Sequence, residues 1–202
     1  MNEDSTNTEQ IILKAARKVF TEKGREGARM QEIADEAGIN KALLHYYFRS
    51  KERLFQAVFF EVLDKFIPEV TNMAFTNKSV FEILKFFVER YIDLILENPH
   101  IPSFILHELS QNPDGIAKLL GSRTAGMSRF LEKIQQEMDA GIIRNGDPRQ
   151  VMINTIGLCV FPFVAKPIVK HIYFDGDDAA YRQFLIERKT EVYQFIINSI
   201  KV

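Results

Sequence analysis

The chain has a single cysteine among its 202 residues, Cys159, so it cannot form an internal disulfide. A small domain held together by disulfides is therefore excluded, and the composition suits a reducing cytoplasm. Long apolar runs are also absent, because no segment reaches the roughly 20 apolar residues needed to cross a bilayer. The first residues are polar and acidic, unlike a signal peptide. We expect a cytoplasmic protein that does not enter the membrane.

The sequence has no large excess of charge of either sign, since 26 basic residues face 27 acidic ones and the net charge is -1. One segment nevertheless departs from this balance. Lys41, Arg49, Lys51 and Arg53 gather there around one acidic residue, Glu52. Basic side chains concentrated in one place favour contact with phosphates, so we expect salt-sensitive binding of DNA through this segment.

Recognisable catalytic and metal-binding motifs are missing as well. His107 and Glu108 begin an H-E-x-x-H zinc motif, but Gln111 stands where the second histidine is required. There is no glycine-rich phosphate loop or serine elbow, and Cys159 lies in an apolar run without a nearby base. We predict no enzyme activity, metal or cofactor. An enzyme whose catalytic residues come from distant parts of the chain remains an alternative.

The most informative feature that is present is a pair of short helical segments joined by a glycine. Residues 30–36 have the apolar spacing of a helix, with Ile33 on the buried side. Ala34 is small enough for two helices to cross closely at its position. Gly38 permits the left-handed turn that follows. Together these residues predict a helix-turn-helix unit.

The second helix of the unit should begin at Lys41, because Asn40 is a favoured N-cap residue. Leu44 and Phe48 lie four residues apart and should face the core. In helix-turn-helix proteins the start of this helix contacts base edges, whereas its flanks contact phosphates. Ser50 should cap the following helix and place Lys51 at its start, near phosphate. The residues of the second helix predicted to contact DNA are Asn40, Lys41, Ala42, Leu43, His45, Tyr46 and Tyr47.

With these features, about a quarter of the chain resembles the TetR family of bacterial transcriptional regulators. The family pattern is a glycine-ended helix, I-A-x-x-A-G, a capping polar residue, an aromatic pair ending in Phe, and S-K-E-x-L. It is met by Gly24, residues 33–38, Asn40, Tyr47 with Phe48, and residues 50–54. Two positions depart from the pattern. His45 replaces a tyrosine that touches phosphate, and Arg29 replaces a small hydroxyl residue that caps the first helix of the unit; we expect both to contact phosphate.

The resemblance implies an all-α protein of two parts. Residues 1–50 would form a three-helix helix-turn-helix DNA-binding domain, and residues 51–202 a larger helical ligand-binding and dimerisation domain. A homodimer of this kind would hold a palindromic operator in double-stranded DNA. A small apolar or amphipathic effector would then release it, and repression rather than activation is the family expectation.

An effector site in the second part is suggested by phenylalanine, which occurs 17 times and is frequent between Phe59 and Phe163. Such residues line apolar ligand cavities, but they also fill ordinary helical cores. The resemblance places certain helices around the family's pocket. The candidates on those helices are Phe87, Tyr91, Phe104, His107, Phe130 and Cys159.

The last two long helical segments, near residues 148–161 and 178–200, carry apolar faces too wide for a small domain to cover alone. We predict that a second copy covers them in a four-helix contact across a two-fold axis. An intramolecular core is the alternative for each residue, and a different partner protein is the alternative for the whole face. The predicted interface residues are Ile153, Ile156, Gly157, Val160, Phe184, Leu185, Val192, Phe195 and Ile196.

Helix boundaries in the second part are marked by a few residues. Pro68 should interrupt the long helix that begins at Lys51. Ser79 and Glu82 predict a capping box at the start of the next helix. Residues 114–140 are expected to be helical with a break near Gly121.

Overall fold

The structure is a computed structural model that describes residues 3–111, 113–121 and 126–202. Within these ranges it is all-α, as predicted, apart from one isolated bridge between Ile143 and Lys201. The helices are α1 Glu3–Gly27, α2 Met30–Glu36, α3 Lys41–Tyr47, α4 Lys51–Met73, α5 Val80–Glu97, α6 Ile101–Gln111, α7 Pro113–Gly121, α8 Met127–Asp139, α9 Pro148–Val164, α10 Lys166–Phe174 and α11 Asp178–Ile200.

The first three helices form the part that we call the head. Helix α1 packs on α2, and α2 packs on α3 around the fully buried side chains of Ile33, Ala34 and Leu44. The absence of a larger side chain at Ala34 lets the backbones approach, and the Ile39 N–H donates to the Ala34 carbonyl at 3.0 Å. Gly38 has φ 66°, the left-handed conformation predicted for the turn. The helix-turn-helix geometry thus follows from local sequence.

Helix α4 connects the head to the remaining helices, which we call the body. It begins at the predicted N-cap, Ser50, whose side chain accepts a hydrogen bond from the Arg53 N–H at 3.2 Å. Near its start, the ring of Phe55 lies 4.6 Å from Phe20 of α1 and 4.9 Å from Phe104 of α6, measured between ring centroids. One aromatic side chain therefore contacts both parts of the molecule.

The prediction that Pro68 interrupts α4 is wrong, because the helix continues to Met73 with Pro68 inside it. The residues beyond the proline are held by tertiary packing, since Val70 and Thr71 are buried. The Thr71 hydroxyl also donates to the carbonyl of Ile67 at 3.0 Å. Burial of the last turn outweighs the hydrogen bond that proline removes.

The centre of the body is formed by α5, α9 and α11, which pack against one another. Helix α5 begins with the predicted capping box: the Ser79 N–H donates to the Glu82 carboxylate at 2.9 Å, and the Glu82 N–H donates to the Ser79 hydroxyl at 3.3 Å. Helix α7 ends at Gly121 and α8 begins at Met127. The predicted break near Gly121 falls on residues 122–125, which lie outside the described residues.

Helices α9 and α10 are separated by a bend at Ala165. Pro162 lies inside the last turn of α9, and Pro167 lies in the first turn of α10. In the described part of the chain, no single helix is long and apolar enough to cross a bilayer. Only α9 and α10 together reach that length and composition, as a pair bent by 75°.

Candidate DNA interface and effector site

Helix α3 is a short, firmly started helix with one buried face. Its N-cap is Asn40, as predicted, and the Asn40 side-chain oxygen accepts a hydrogen bond from the Leu43 N–H at 2.8 Å. Leu44 and Phe48 are buried against the head core. These contacts fix the rotation of α3 about its axis, so the opposite face is turned outward.

The outward face of α3 carries the residues predicted to contact DNA. Tyr46 is 80% exposed and Leu43 is 36% exposed, which is unusual for side chains of this size. Lys41, Ala42 and His45 are exposed beside them. Among the described residues, Lys41 forms no ion pair that would hold it away from a phosphate or base. The face is therefore free to meet a nucleic acid.

Two of the residues predicted to contact DNA also stabilise the head. Asn40 uses its side-chain oxygen as the helix cap. Tyr47 is half-buried and packs against the head core, with its ring 5.5 Å from that of Tyr46. Its phenol ring supports the helix, so Tyr46 is the better placed of the two tyrosines for a phosphate contact.

Arg29 is the N-cap of α2, in place of a small hydroxyl residue. The side chain that caps this helix end comes from Glu32, whose carboxylate accepts a hydrogen bond from the Arg29 N–H at 3.2 Å. A hydrogen bond from Lys23 and then the one from Arg29 lower the pKa of Glu32. Glu32 thus performs the capping function, and the Arg29 residue remains exposed at the start of α2.

The side chain of Lys51 points back into the head. Its ammonium group donates to the carbonyls of Glu26 and Ala28, each at 3.3 Å. Lys51 therefore joins the start of α4 to the connection between α1 and α2. This geometry favours a positioning contribution to DNA binding over a free ammonium group directed at a phosphate.

Two further basic side chains of the same segment lie beside the residues of α3 that are predicted to contact DNA. Arg49, between α3 and α4, and Arg53, in the first turn of α4, are exposed and form no ion pair within the residues that the structure describes. Both belong to the basic segment that is visible in the sequence. They differ from Lys51 in that their side chains are exposed, whereas Lys51 is hydrogen-bonded within the head. This difference depends on packing and is not visible in the sequence.

In the body, three of the six candidate effector residues come together. The rings of Phe87 and Tyr91 are stacked, with centroids 5.4 Å apart and planes 12° apart, and Phe66 packs against both. Cys159 is fully buried on the neighbouring α9. Burial, and secondarily the nearby Cys159, raises the pKa of Tyr91, and burial raises the pKa of Cys159 to about 12.

The other three candidates lie elsewhere. Phe104 belongs to an aromatic cluster with Phe55 and Phe59, at centroid distances of 4.9 and 4.8 Å. Phe130 is buried on α8, which packs on α4, α5 and α9. His107, expected to be a polar member of an enclosed pocket, is exposed on α6 instead. It lies about one helical turn after Phe104, and it lines an open groove between α1 and α6.

The predicted dimer residues divide into three groups by exposure. Leu185, Val192 and Ile196 of α11 are buried within the protomer, so the intramolecular alternative applies to these three. Ile156, Val160 and Phe184 are half-buried, whereas Gly157 is exposed. Ile153 is 63% exposed and Phe195 is 64% exposed, so these two apolar side chains are available to a partner.

Further large apolar side chains extend this surface. Phe161 lies eight residues after Ile153 on α9 and is 62% exposed, so the two are on one face of the helix. Ile168, Ile172 and Tyr173 of α10 are also exposed. Exposed side chains of this size in such number are typical of a protein interface. We call this surface, with Ile153 and Phe195, the α9–α11 face.

Metal binding has no support from the arrangement of side chains. Over the described ranges, no group of three or more His, Cys, Asp or Glu side chains is placed to hold an ion. The buried Cys159, with its raised pKa, is unsuited to act as a thiolate ligand or nucleophile.

A capped recognition helix with an open basic and aromatic face defines a helix-turn-helix DNA-binding protein. Comparison with known families agrees, since residues 12–58 match the family described as "Bacterial regulatory proteins, tetR family". Through these residues the chain is similar to the TetR family of transcriptional regulators.

Individual relatives match this chain over part of their length. The transcriptional activator FasR of Mycolicibacterium smegmatis is 36% identical over 84 residues, which cover 42% of this chain and 38% of FasR. The transcriptional regulator RutR of Escherichia coli is 46% identical over 55 residues, which cover 27% of this chain and 26% of RutR. The matches thus span well under half the length of these relatives.

The whole fold is shared with solved structures. The transcriptional regulator FadR of Bacillus subtilis, in complex with stearoyl-CoA, superposes with a TM-score of 0.65 and covers 94% of this chain and 98% of its own. Its sequence identity is 19%, so this likeness concerns the fold.

Proposed function

We propose that this protein is a dimeric, sequence-specific transcriptional repressor of the cytoplasm. It binds a palindromic operator through the heads and leaves it when a small apolar or amphipathic effector binds the body. The observation that carries the proposal is the outward face of α3, where Lys41, Leu43 and Tyr46 are exposed while Leu44 anchors the helix.

The chemistry of this face suits DNA. The ammonium group of Lys41 suits hydrogen bonding to guanine, whereas the side chain of Leu43 suits contact with a thymine methyl group. Tyr46, Arg49 and Arg53 lie at the flanks, where hydroxyl and guanidinium groups meet phosphates. Bases are read by the centre of the face, and register is set by its edges.

A dimer follows from the α9–α11 face and from the small size of the head. One α3 helix reads only a few base pairs, which is too little for a specific site. Two heads about 34 to 36 Å apart read two half-sites one helical turn apart. Isologous pairing across a two-fold axis would cover Ile153 and Phe195 on both copies and would make the operator palindromic.

The effector site is proposed between α5 and α9, around Phe87, Tyr91 and Cys159. The surroundings are largely apolar. The nearby polar groups are the phenol hydroxyl, the thiol and the half-buried guanidinium of Arg188, whose charge acts on Cys159. This lining suits a ligand with an apolar body and a polar end. These side chains are packed, so an effector must bind a state in which they have moved apart. An effector that binds only this state shifts the dimer away from the operator-binding form. The stearoyl-CoA bound by FadR makes acyl chains the first class to try.

The DNA-binding part is tested by selecting bound sequences from a random duplex pool at moderate salt. We expect a palindrome whose half-sites are one helical turn, or a multiple of it, apart. The test variant is Lys41→Ala, which removes an exposed lysine from α3. Its matched control is Lys85→Ala, which removes an exposed lysine from α5. Only Lys41→Ala should weaken binding to the enriched duplex. Absence of an enriched sequence at every salt concentration would contradict the proposal.

The effector part is tested by adding stearoyl-CoA and free stearate to the complex with the enriched duplex. Release of the duplex, together with a rise in the protein's melting temperature, is expected for a ligand that binds the body. Tyr91→Phe should change the affinity for the ligand without changing that for DNA. A melting temperature unmoved by either compound would contradict acyl chains as the effector class.

A further inference from the structure

A groove of about 470 Å³ lies between the head and the body, away from the candidate effector residues of α5 and α9. Its walls come from α1, α4, α6 and the two residues that precede α6, so both parts of the molecule contribute to them. This volume falls in the range of small-molecule sites. The lining residues on which the argument rests are Phe20, Phe55, Pro99, His100, Ser103 and Phe104.

His100 is the unusual member of this lining. It is 8% exposed, and neither its Nδ1 nor its Nε2 has a hydrogen-bond partner among the described residues. Its ring packs edge-on against Phe55 at a centroid distance of 5.2 Å. A buried polar group without a partner is costly in free energy, and native structures rarely keep one without a reason. A ligand bound in this groove would supply the missing hydrogen bond.

The charge around the groove indicates what kind of ligand fits. Arg25 at the rim is paired with Glu26 at 2.5 Å, and Lys23 is paired with Glu32 at 3.0 Å. These two rim cations are thus already balanced by carboxylates of the head. Burial, with a further contribution from the nearby Arg17, lowers the pKa of His100 to about 4, so its imidazole is neutral at pH 7. A neutral imidazole suits a neutral hydrogen-bonding group better than a carboxylate.

We propose that this groove is a second small-molecule site, which binds a neutral aromatic compound with its ring against the packed side chains of Phe20, Phe55 and Phe104 and its hydroxyl group on His100. Such a compound touches helices of the head and of the body together. Its affinity then depends on how the head sits on the body. If DNA binding changes that arrangement, DNA changes the affinity for the compound by some factor, and the compound changes the affinity for DNA by the same factor. The site is separate from the effector site proposed around Tyr91.

In the test, phenol is titrated into the protein in the absence of DNA, and the NMR signals of the four histidine rings are recorded at each phenol concentration. Saturable binding should shift the His100 signal, with a dissociation constant on the order of 1 mM for so small a probe. Toluene has nearly the same shape but no hydroxyl group, and benzoate carries a negative charge. Phenol should bind more tightly than benzoate.

Two variants locate the binding. His100→Phe keeps an aromatic ring but removes the nitrogens, so the preference for phenol over toluene should fall about fivefold to tenfold, the usual worth of one hydrogen bond. Ser103→Phe places a bulky side chain on the exposed wall of α6 and should abolish binding without disturbing the core. His171→Gln removes an exposed imidazole from α10 and should leave phenol binding unchanged.

Several outcomes would overturn the proposal: no shift of the His100 signal up to the solubility limit of phenol, tighter binding of benzoate than of phenol, or equal phenol binding in Ser103→Phe. A groove filled only by water would give the first of these. Because no DNA or acyl compound is present, failure here is distinguishable from failure of the proposed repressor function.

Discussion

The head and the body of this protein differ in where their functional side chains lie. In the head, Lys41 and Tyr46 are exposed on one short helix and are positioned by their immediate neighbours Asn40 and Leu44. In the body, Tyr91 and the buried Cys159 come from helices far apart in the chain and are enclosed by other side chains. The head therefore presents a finished surface, whereas the proposed effector site in the body would have to open before a ligand could enter it. A DNA interface is built locally, and a regulatory site depends on the whole packing.

The first prediction concerns the junction of the two parts. Phe55→Ala removes a ring that contacts Phe20 in the head and Phe104 in the body, and a buried Phe-to-Ala change costs about 3–5 kcal/mol of unfolding free energy. Amide hydrogen exchange of the head and of the body should accelerate together. Phe130→Ala, a buried change confined to the body, is the control and should affect the body more. Acceleration limited to one part in Phe55→Ala would show that the junction does not couple them.

The second prediction uses the buried imidazole at the same junction. Burial first, and Arg17 second, lowers the pKa of His100 to about 4, below the value of about 6.5 for an unfolded histidine. The unfolded chain therefore binds the proton more readily, and stability present above about pH 6.5 is lost as the pH falls toward about 4. The loss attributable to His100 should be roughly 2–3 kcal/mol between about pH 7 and about pH 4.5.

This pH dependence is measured by chemical denaturation of the natural protein and of His100→Phe at both pH values. Other titrating groups are the same in the two proteins, so their contribution cancels in the difference. Equal losses of unfolding free energy would contradict the account of His100 as a buried neutral group.

The third prediction separates function from stability in the head. Lys41→Ala should weaken operator binding by about 1–3 kcal/mol, the usual worth of a base contact. The unfolding free energy should change by less than about 0.5 kcal/mol, because Lys41 is exposed. Fluorescence anisotropy with labelled operator and thermal denaturation measure the two quantities. Normal operator affinity in Lys41→Ala would place the recognition face elsewhere.

The fourth and smallest effect compares matching helix caps in the two parts. Asn40→Ala and Ser79→Ala each remove a side-chain cap, at the start of α3 and of α5, and each should cost about 1 kcal/mol of stability. Only Asn40→Ala should also weaken operator binding, because α3 is the helix proposed to enter the major groove of DNA. Equal operator affinities in the two variants would mean that the start of α3 does not meet DNA.

The sequence predicted the head more completely than the body for a physical reason. Asn40, Gly38 and Ser50 act within a few residues of their own position, so their effects are visible in the sequence. Pro68 is a local signal that was overridden, because burial of the residues after it holds α4 together. The burial of these residues could not be predicted from the local sequence around Pro68.

The candidate sites show the same limit. Exposure of Tyr46 and burial of Leu44 follow from helical spacing. The separation of Phe87 from Phe104, the exposure of His107 and the burial of His100 depend on how α5, α6 and α1 meet, which no short motif records. The division of α11 into the buried Leu185 and the exposed Phe195 likewise requires the neighbouring helices.

The central claim is that the exposed face of α3 reads the DNA sequence. It is tested most directly by repeating the selection from a random duplex pool with Leu43→Gln, which replaces an apolar contact by a side chain that suits adenine. The account predicts a changed base preference at one position of each half-site, with the spacing of the half-sites unchanged. An identical preferred sequence for Leu43→Gln and the natural protein would contradict it.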